Sequence, residues 1–401
     1  MDDKFNKNLQ YLSGLSLLQF EAVCHFNLTK YLIELFQSYA PQPKYGCERG
    51  LNTFIAMGYQ LDASVFLYES IKQLSILGDE ESKVFKEQPY YADLEVVRNN
   101  IHTYFKNGGF AEKANTIIGE KLKKYKLDKP DVFQMLRSDI SLVFEIVDDL
   151  RCLMGCDYFI YHCIYESENK EWVGNDYQGY AEFLSSNIKD IALTVGEAQY
   201  VLSQLHFREK MPVVELYDYK SADLVNCSAV SSISTFRLVL MLYQISHILL
   251  LVDEIFDYKS INKDDMWTCF FSKLLAIKYD EAFDNLHSLL MFSKKDDKRI
   301  LLEYCKNENL LIENLVAREF AQKLRNTIHY QTILLDINKL RENSTRGIVT
   351  AIYLSNTDTN SMGEFKNKSI AMIHEMKLLQ KFIRKIISVD KINIIRKGFE
   401  N

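Results

Sequence analysis

The chain has 401 residues, 47% of them hydrophobic and 25% charged, with a formal net charge of −6 at pH 7. That length and apolar fraction exclude an intrinsically disordered protein and leave room for two or three domains around a large core. The acidic balance excludes a general polyanion binder, whose affinity comes from Lys and Arg displacing counterions along phosphates, but it permits a local basic face.

Only 5 Pro and 15 Gly interrupt the text, so long helices are expected. The first residues, MDDKFNKNLQYLSG, lack a basic segment followed by an apolar run, and no signal peptide is expected. After a break at PQPKYGCERG, residues 41–50, the stretch FLYESIKQLSIL places Phe66, Leu67, Ile71, Leu74 and Leu77 at helical spacing. VVRNNIHTYF comes next at residues 96–105, then breaks at Gly108–Gly109 and at DKP, residues 128–130. VFQMLRSDISLVFEIVDDL keeps a helical period through Val132, Leu136, Ile140, Val143 and Val147. CLMGCDYFIYHC also reads as an apolar helix. Its Cys152, Cys156 and Cys163, with His162 beside them, are expected as buried thiols, because a zinc site needs two separated ligand pairs on tight turns.

The eight Cys are scattered, which fits reduced thiols in a cytosolic protein. Further breaks fall at residues 166–179 and 210–221. The most apolar run, LVLMLYQISHILLLV from Leu238 to Val252, is interrupted by Gln244, Ser246 and His247. It is too short for a membrane span and is expected as a core helix. LLLVDEIFDY puts Asp253, Glu254 and Asp257 at the spacing with which class I terpene synthases hold Mg²⁺ against a diphosphate, a minor alternative. Breaks come after Tyr258 and recur at residues 293–297 and 355–363. The last helix carries Lys377, Lys381, Arg384, Lys385, Lys391, Arg396 and Lys397 against Glu375, Asp390 and Glu400, and is expected to turn a solvated cationic face outward.

The fold class expected is all-α, in two tandem bundles: an N-terminal one over residues 1–225 and a C-terminal one over 226–401. Each contains R-N-x-I-H. The first copy is Arg98, Asn99, Ile101 and His102; the second, in KLRNTIHYQT, is Arg325, Asn326, Ile328 and His329. Composition alone does not predict even one occurrence. On a helix, Arg and His four apart share a face while Ile turns toward the core. Such a face suits a phosphate: Arg supplies a planar, permanently charged fork, Asn a further donor, and His a proton near neutral pH. RNA carries its own nucleophile, the 2′-hydroxyl, so cleavage through a cyclic phosphate needs no metal.

These motifs resemble the HEPN superfamily, helical bundles with an Arg, a polar neighbour and a His a few residues on. In that family four to six residues separate Arg from His; both copies here have three. Many members are RNases of toxin–antitoxin, abortive-infection and CRISPR systems whose active site forms where two bundles meet. The resemblance implies a covalent pseudo-dimer acting on RNA without cofactor or metal, in phage defence, with an antitoxin or defence protein as partner and a homodimer as a possible assembly. It gives Arg98 and Arg325 the scissile phosphate, His102 and His329 the acid and base roles, and Asn99 and Asn326 a part in binding substrate. The competing expectation is a non-catalytic helical interaction or immunity protein in which both copies brace helices.

Overall fold

Leu17, Phe20, Cys24, Leu28 and Leu32 recur at helical spacing and are all buried, which makes one long stripe on the first helix, α1 (Asp3–Ser38). The computed structural model describes residues 3–38, 47–75, 79–105, 140–146, 150–156, 174–195, 202–205, 214–220, 227–310, 312–333, 336, 338–339 and 347–387. The helices after α1 are α2 (Cys47–Leu74), α3 (Asp79–Lys86), α4 (Tyr91–Phe105), α5 (Gly174–Val195) and α6 (Ser232–Leu249). They continue with α7 (Met266–Phe292), α8 (Lys295–Asn307), α9 (Arg318–Asn326), α10 (Gly347–Thr357) and α11 (Met362–Ile386). The protein is predominantly helical, as its periodicity predicts.

One small antiparallel sheet departs from that pattern. Its strands are β1 (Ile140–Ile146), β2 (Leu150–Cys156) and β3 (Val214–Lys220), in the order β2-β1-β3. Phe144 pairs with Cys152 on one side, and with Leu216 on the other. The helical reading is therefore corrected over residues 140–146 and 150–156, as is the break expected at 210–221 over residues 214–220, which form β3. The physical reason lies in the residues themselves: ISLVFEI alternates Leu142, Phe144 and Ile146 as readily as it fits a helix, and such residues favour a strand once partners are in register. His162 and Cys163 lie outside the described residues.

The centre of the fold is α6, which continues as a π-helical turn over Leu250–Ile255. Residues 232–255 are the one described helical run long and apolar enough to cross a membrane by length and composition, and its most apolar window is entirely buried against the rest of the protein. Asp297 holds its start, accepting from the Ser231 amide at 2.9 Å and the Ser234 hydroxyl at 2.7 Å. Around α6 one continuous apolar core draws on α1, α2, α5, α7, α10 and α11, so both halves of the sequence contribute to it. Close approach of α2 to α6 depends on Gly58, where an added Cβ would meet the His247 ring at 2.1 Å.

The long helix α7 buries nearly its whole length, including Lys273, Lys278, Asp280 and Glu281. Buried charges require partners, and α7 finds them on α1, on α2 and at the end of α9.

Candidate functional site: a carboxylate shared by the two motif copies

Glu69 stands on the inward face of α2, two turns after Asp62. Its Oε1 accepts from Arg98 Nη2 on α4 at 2.9 Å, and its Oε2 lies 3.3 Å from His329 Nδ1. The first motif's Arg and the second motif's His, 231 residues apart in sequence, thus meet on one carboxylate. Lys72 adds a longer contact at 3.8 Å. The Tyr68 ring lies under both Lys72 and Arg98, at 4.5 and 5.3 Å. Burial acts to raise the Glu69 pKa, but the hydrogen bond and charge of His329, then Arg98 and Lys72, prevail and lower it to about 2.

Exposure grades outward across this junction. The Glu69 side chain is 6% exposed, Arg98 13% and His329 40%. His25 and His247 are the contrasting case: both are sealed in the core, bonded to the Tyr59 hydroxyl and the Ile55 carbonyl, and burial depresses them to about 3 and about 4. They are structural histidines. His329 is not enclosed in that way.

The second copy does not follow the helical geometry its spacing predicts. Helix α9 ends at Asn326, and the chain turns through Thr327 and Ile328 into a single 3-10 turn at Tyr330–Thr332. Arg325 and His329 therefore do not stack one turn apart. Arg325 goes instead to α7, its Nε 3.6 Å from Asp280 Oδ2, an ion pair too long for a hydrogen bond. Ile328 does turn inward as expected and is 4% exposed. In the first copy, Arg98 and His102 do share α4, but the His102 side chain lies outside the described residues. Asn99 and Asn326 are both exposed.

A buried ionic layer underlies the junction and fixes the turn that carries His329. Glu21 of α1 pairs with Lys273 of α7 and accepts from the hydroxyls of Tyr330 at 2.6 Å and Tyr353 at 2.8 Å. Lys273 reaches the Thr327 carbonyl at 3.3 Å. Gly14 lets the turn seat against α1, since a Cβ there would stand 2.2 Å from the Tyr330 carbonyl oxygen. Among Glu21, Asp62, Glu69, Lys273 and Tyr330 lies a cavity of about 20 Å³, room for about one water. A larger cavity of about 280 Å³ between α1, α2 and α5 has mostly apolar walls, Leu32, Ile33, Leu184 and Ile188 among them, and contains no motif residue.

One turn further along α7, Lys278 contacts Asp62 at 2.7 Å with both side chains 1% exposed. Beside them burial raises Glu281 to about 7, against the opposing charges of Lys278 and Arg325, and raises Asp280 to about 6 with help from Asp284. Between about pH 4.5 and 7 the folded protein holds a Glu281 proton that the unfolded chain has released. Stability from this group therefore falls as pH rises through that window. Glu281→Gln is expected to remove about 3 kcal/mol of that loss. Urea unfolding at pH 5 and pH 8 checks it: an unchanged difference between the two pH values in the variant contradicts the assignment.

The acidic run near the π turn is charge-paired. Asp253 lies 2.5 Å from Lys377 of α11, and Glu254 lies 3.6 Å from the same ammonium. Asp257 leaves the helix at φ 45° and accepts from Ser260 at 2.6 Å. The helical i, i+4 arrangement expected of a diphosphate–metal site is not formed. Among the described residues, no group of three or more His, Cys, Asp or Glu side chains is placed to hold a metal ion. The basic face of α11 is likewise partnered, with Lys381 and Lys385 both on Glu308. Lys391, Arg396 and Lys397 lie outside the described residues.

No family model, curated protein or solved structure matches the chain.

Sequence reasoning missed Glu69, Lys72 and Tyr68. A signal was present: Asp62, Glu69 and Gln73 fall on the face of α2 that also bears Val65 and Phe66, and acidic residues seven apart on an apolar stripe call for cationic partners from elsewhere.

Proposed function

We propose that the chain is a metal-independent endoribonuclease of HEPN-like design, with a composite site in which the two motif copies meet around Glu69. One observation carries the reading: Arg98 and His329 lie on the same carboxylate. The available chemistry supports it. Arg98 uses one of five N–H donors on Glu69, and its Nε is buried with no acceptor among the described residues. Arg325, 20% exposed, makes no guanidinium hydrogen bond among them. The Nε atoms are buried, so it is the terminal N–H groups of both guanidinium groups that remain for phosphate oxygens.

In the proposed reaction a base withdraws the proton of the ribose 2′-hydroxyl, whose oxygen attacks phosphorus. An acid returns a proton to the departing 5′-oxygen, and the products are a 2′,3′-cyclic phosphate and a free 5′-hydroxyl. His329 and His102 take the two proton roles, Arg98 and Arg325 stabilise the charge on the phosphate, and Asn99 and Asn326 hold the substrate. The pseudo-dimeric arrangement, a cytosolic setting in phage defence or a toxin–antitoxin pair, and an antitoxin-like partner belong to the same proposal and rest on the motif resemblance.

The test is cleavage of mixed RNA by purified protein in EDTA. Cleavage is expected in wild type and lost in the Arg325→Ala, His329→Ala double variant. Cleavage that stops in chelator, or persists in the variant, overturns the proposal. One observation favours a second reading: Arg98 and Glu69 already neutralise each other across two helices, as a brace would. A wild type that leaves RNA intact selects that reading, a non-catalytic helical interaction or immunity protein.

A further inference from the structure

The Glu69–His329 contact bears on more than charge balance. A carboxylate ionised over the whole physiological range is an acceptor only. At 3.3 Å from Glu69 Oε2, Nδ1 of His329 must carry the hydrogen. A neutral imidazole has one N–H, so the lone pair then lies on Nε2. Among the described residues Nε2 has no hydrogen-bond partner, and the side chain is 40% exposed.

The turn that carries the ring is fixed from several directions, and the ring itself is held by Glu69. The His329 amide donates to the Asn326 carbonyl at 3.1 Å, and its own carbonyl accepts from the Thr332 amide at 2.9 Å and the Thr332 hydroxyl at 3.0 Å. Tyr330 next to it is bonded to Glu21. Glu69 is itself held by Arg98. The groups facing the pair are Tyr68 and Lys72 on α2, Arg98 on α4, Lys273 on α7 and Tyr330 on the turn. Three further carboxylates lie close by: Glu21 and Asp62 line the small cavity beside Glu69 and are paired on α7 with Lys273 and Lys278, and Glu95 lies near Tyr68.

We infer that Glu69 is a positioning residue: it fixes His329 in the Nδ1–H tautomer, so that Nε2 is the nitrogen presented to substrate, and it sets Arg98 beside that ring. The inference rests on the nuclease reading proposed above. The arrangement is one in which a buried carboxylate orients an imidazole and stabilises the imidazolium formed when Nε2 takes a proton. It also makes the second motif copy depend on the first. The carboxylate that serves the second copy's His is held in place by the first copy's Arg.

The test has a readout that a merely structural role would not move. ¹⁵N NMR of the imidazoles in the full chain, with His329 assigned by its loss in His329→Asn, is expected to show the neutral ring protonated at Nδ1. In Glu69→Leu, which has no acceptor, the ring is expected to revert toward Nε2–H. Glu69→Gln, closest in shape, is expected to lower kcat for RNA about 10- to 100-fold with KM little changed. A neutral wild-type ring protonated at Nε2, or a Glu69→Gln protein cleaving RNA at the wild-type rate, overturns the inference. The wild-type spectrum requires only the surface-lying His329→Asn variant to fold for its assignment, not either Glu69 variant. A wild type that cleaves no RNA overturns the nuclease reading instead, and the tautomer alone then decides whether Glu69 orients the ring.

Discussion

Lys278→Met is expected to cost about 3–5 kcal/mol of unfolding free energy, measured by urea denaturation. Lys278 and Asp62 are each 1% exposed, and their 2.7 Å contact joins α7 to α2. The contact is not an aligned hydrogen bond, and both Asp62 oxygens are buried without one. The contact therefore acts through attraction between the two charges, with Glu281 beside it adding negative charge when it titrates. Removal of the ammonium leaves an uncompensated buried carboxylate, the most expensive outcome for such a pair. The paired change Asp62→Leu, Lys278→Met removes both desolvation costs and is expected to regain most of the loss or to exceed wild type. A single variant that loses less than about 1 kcal/mol contradicts a sealed pair.

On the proposed nuclease reading, Arg98→Ala is expected to lower RNA cleavage by about 10²–10³-fold, the effect of deleting a preorganised donor aimed at developing charge. The same change leaves Glu69 with His329 and Lys72 as its ion-pair contacts among the described residues, so the orientation of the ring is also expected to loosen. Arg98→Lys keeps the charge but not the planar fork and is expected to recover only part of the rate. The side chain is 13% exposed and braces α4 against α2, so some stability is lost as well. Rates are therefore compared at a temperature where unfolding curves show every variant fully folded. A folded Arg98→Ala protein with undiminished cleavage sinks the composite site.

The helical character was readable from the chain because the long amphipathic and all-apolar runs carry their own period. Residues 238–252 are the clearest example, and the core helix expected there is α6. The break expected at residues 355–363 proves narrower, since α10 runs to Thr357 and α11 starts at Met362. The start of α11 is set by a cap that the sequence reading passed over: Ser361 accepts from the Glu364 amide, and the Glu364 carboxylate accepts from the Asn360 amide. Where the period was ambiguous, as in ISLVFEI, pairing with segments as distant as Lys220 decided for a strand.

By itself the sequence determined that the protein would be mostly helical, where several helices would end, and that R-N-x-I-H occurs twice. These depend on neighbours within a few residues, and local spacing encodes them. Only the tertiary structure decided that α9 stops before His329, that Arg325 turns to Asp280 while His329 turns to Glu69, and that Arg98 comes from the other copy to the same carboxylate. The physical reason is that a buried ionisable side chain is stable only beside a partner, and the partner is chosen by helix packing over hundreds of residues rather than by spacing along one helix.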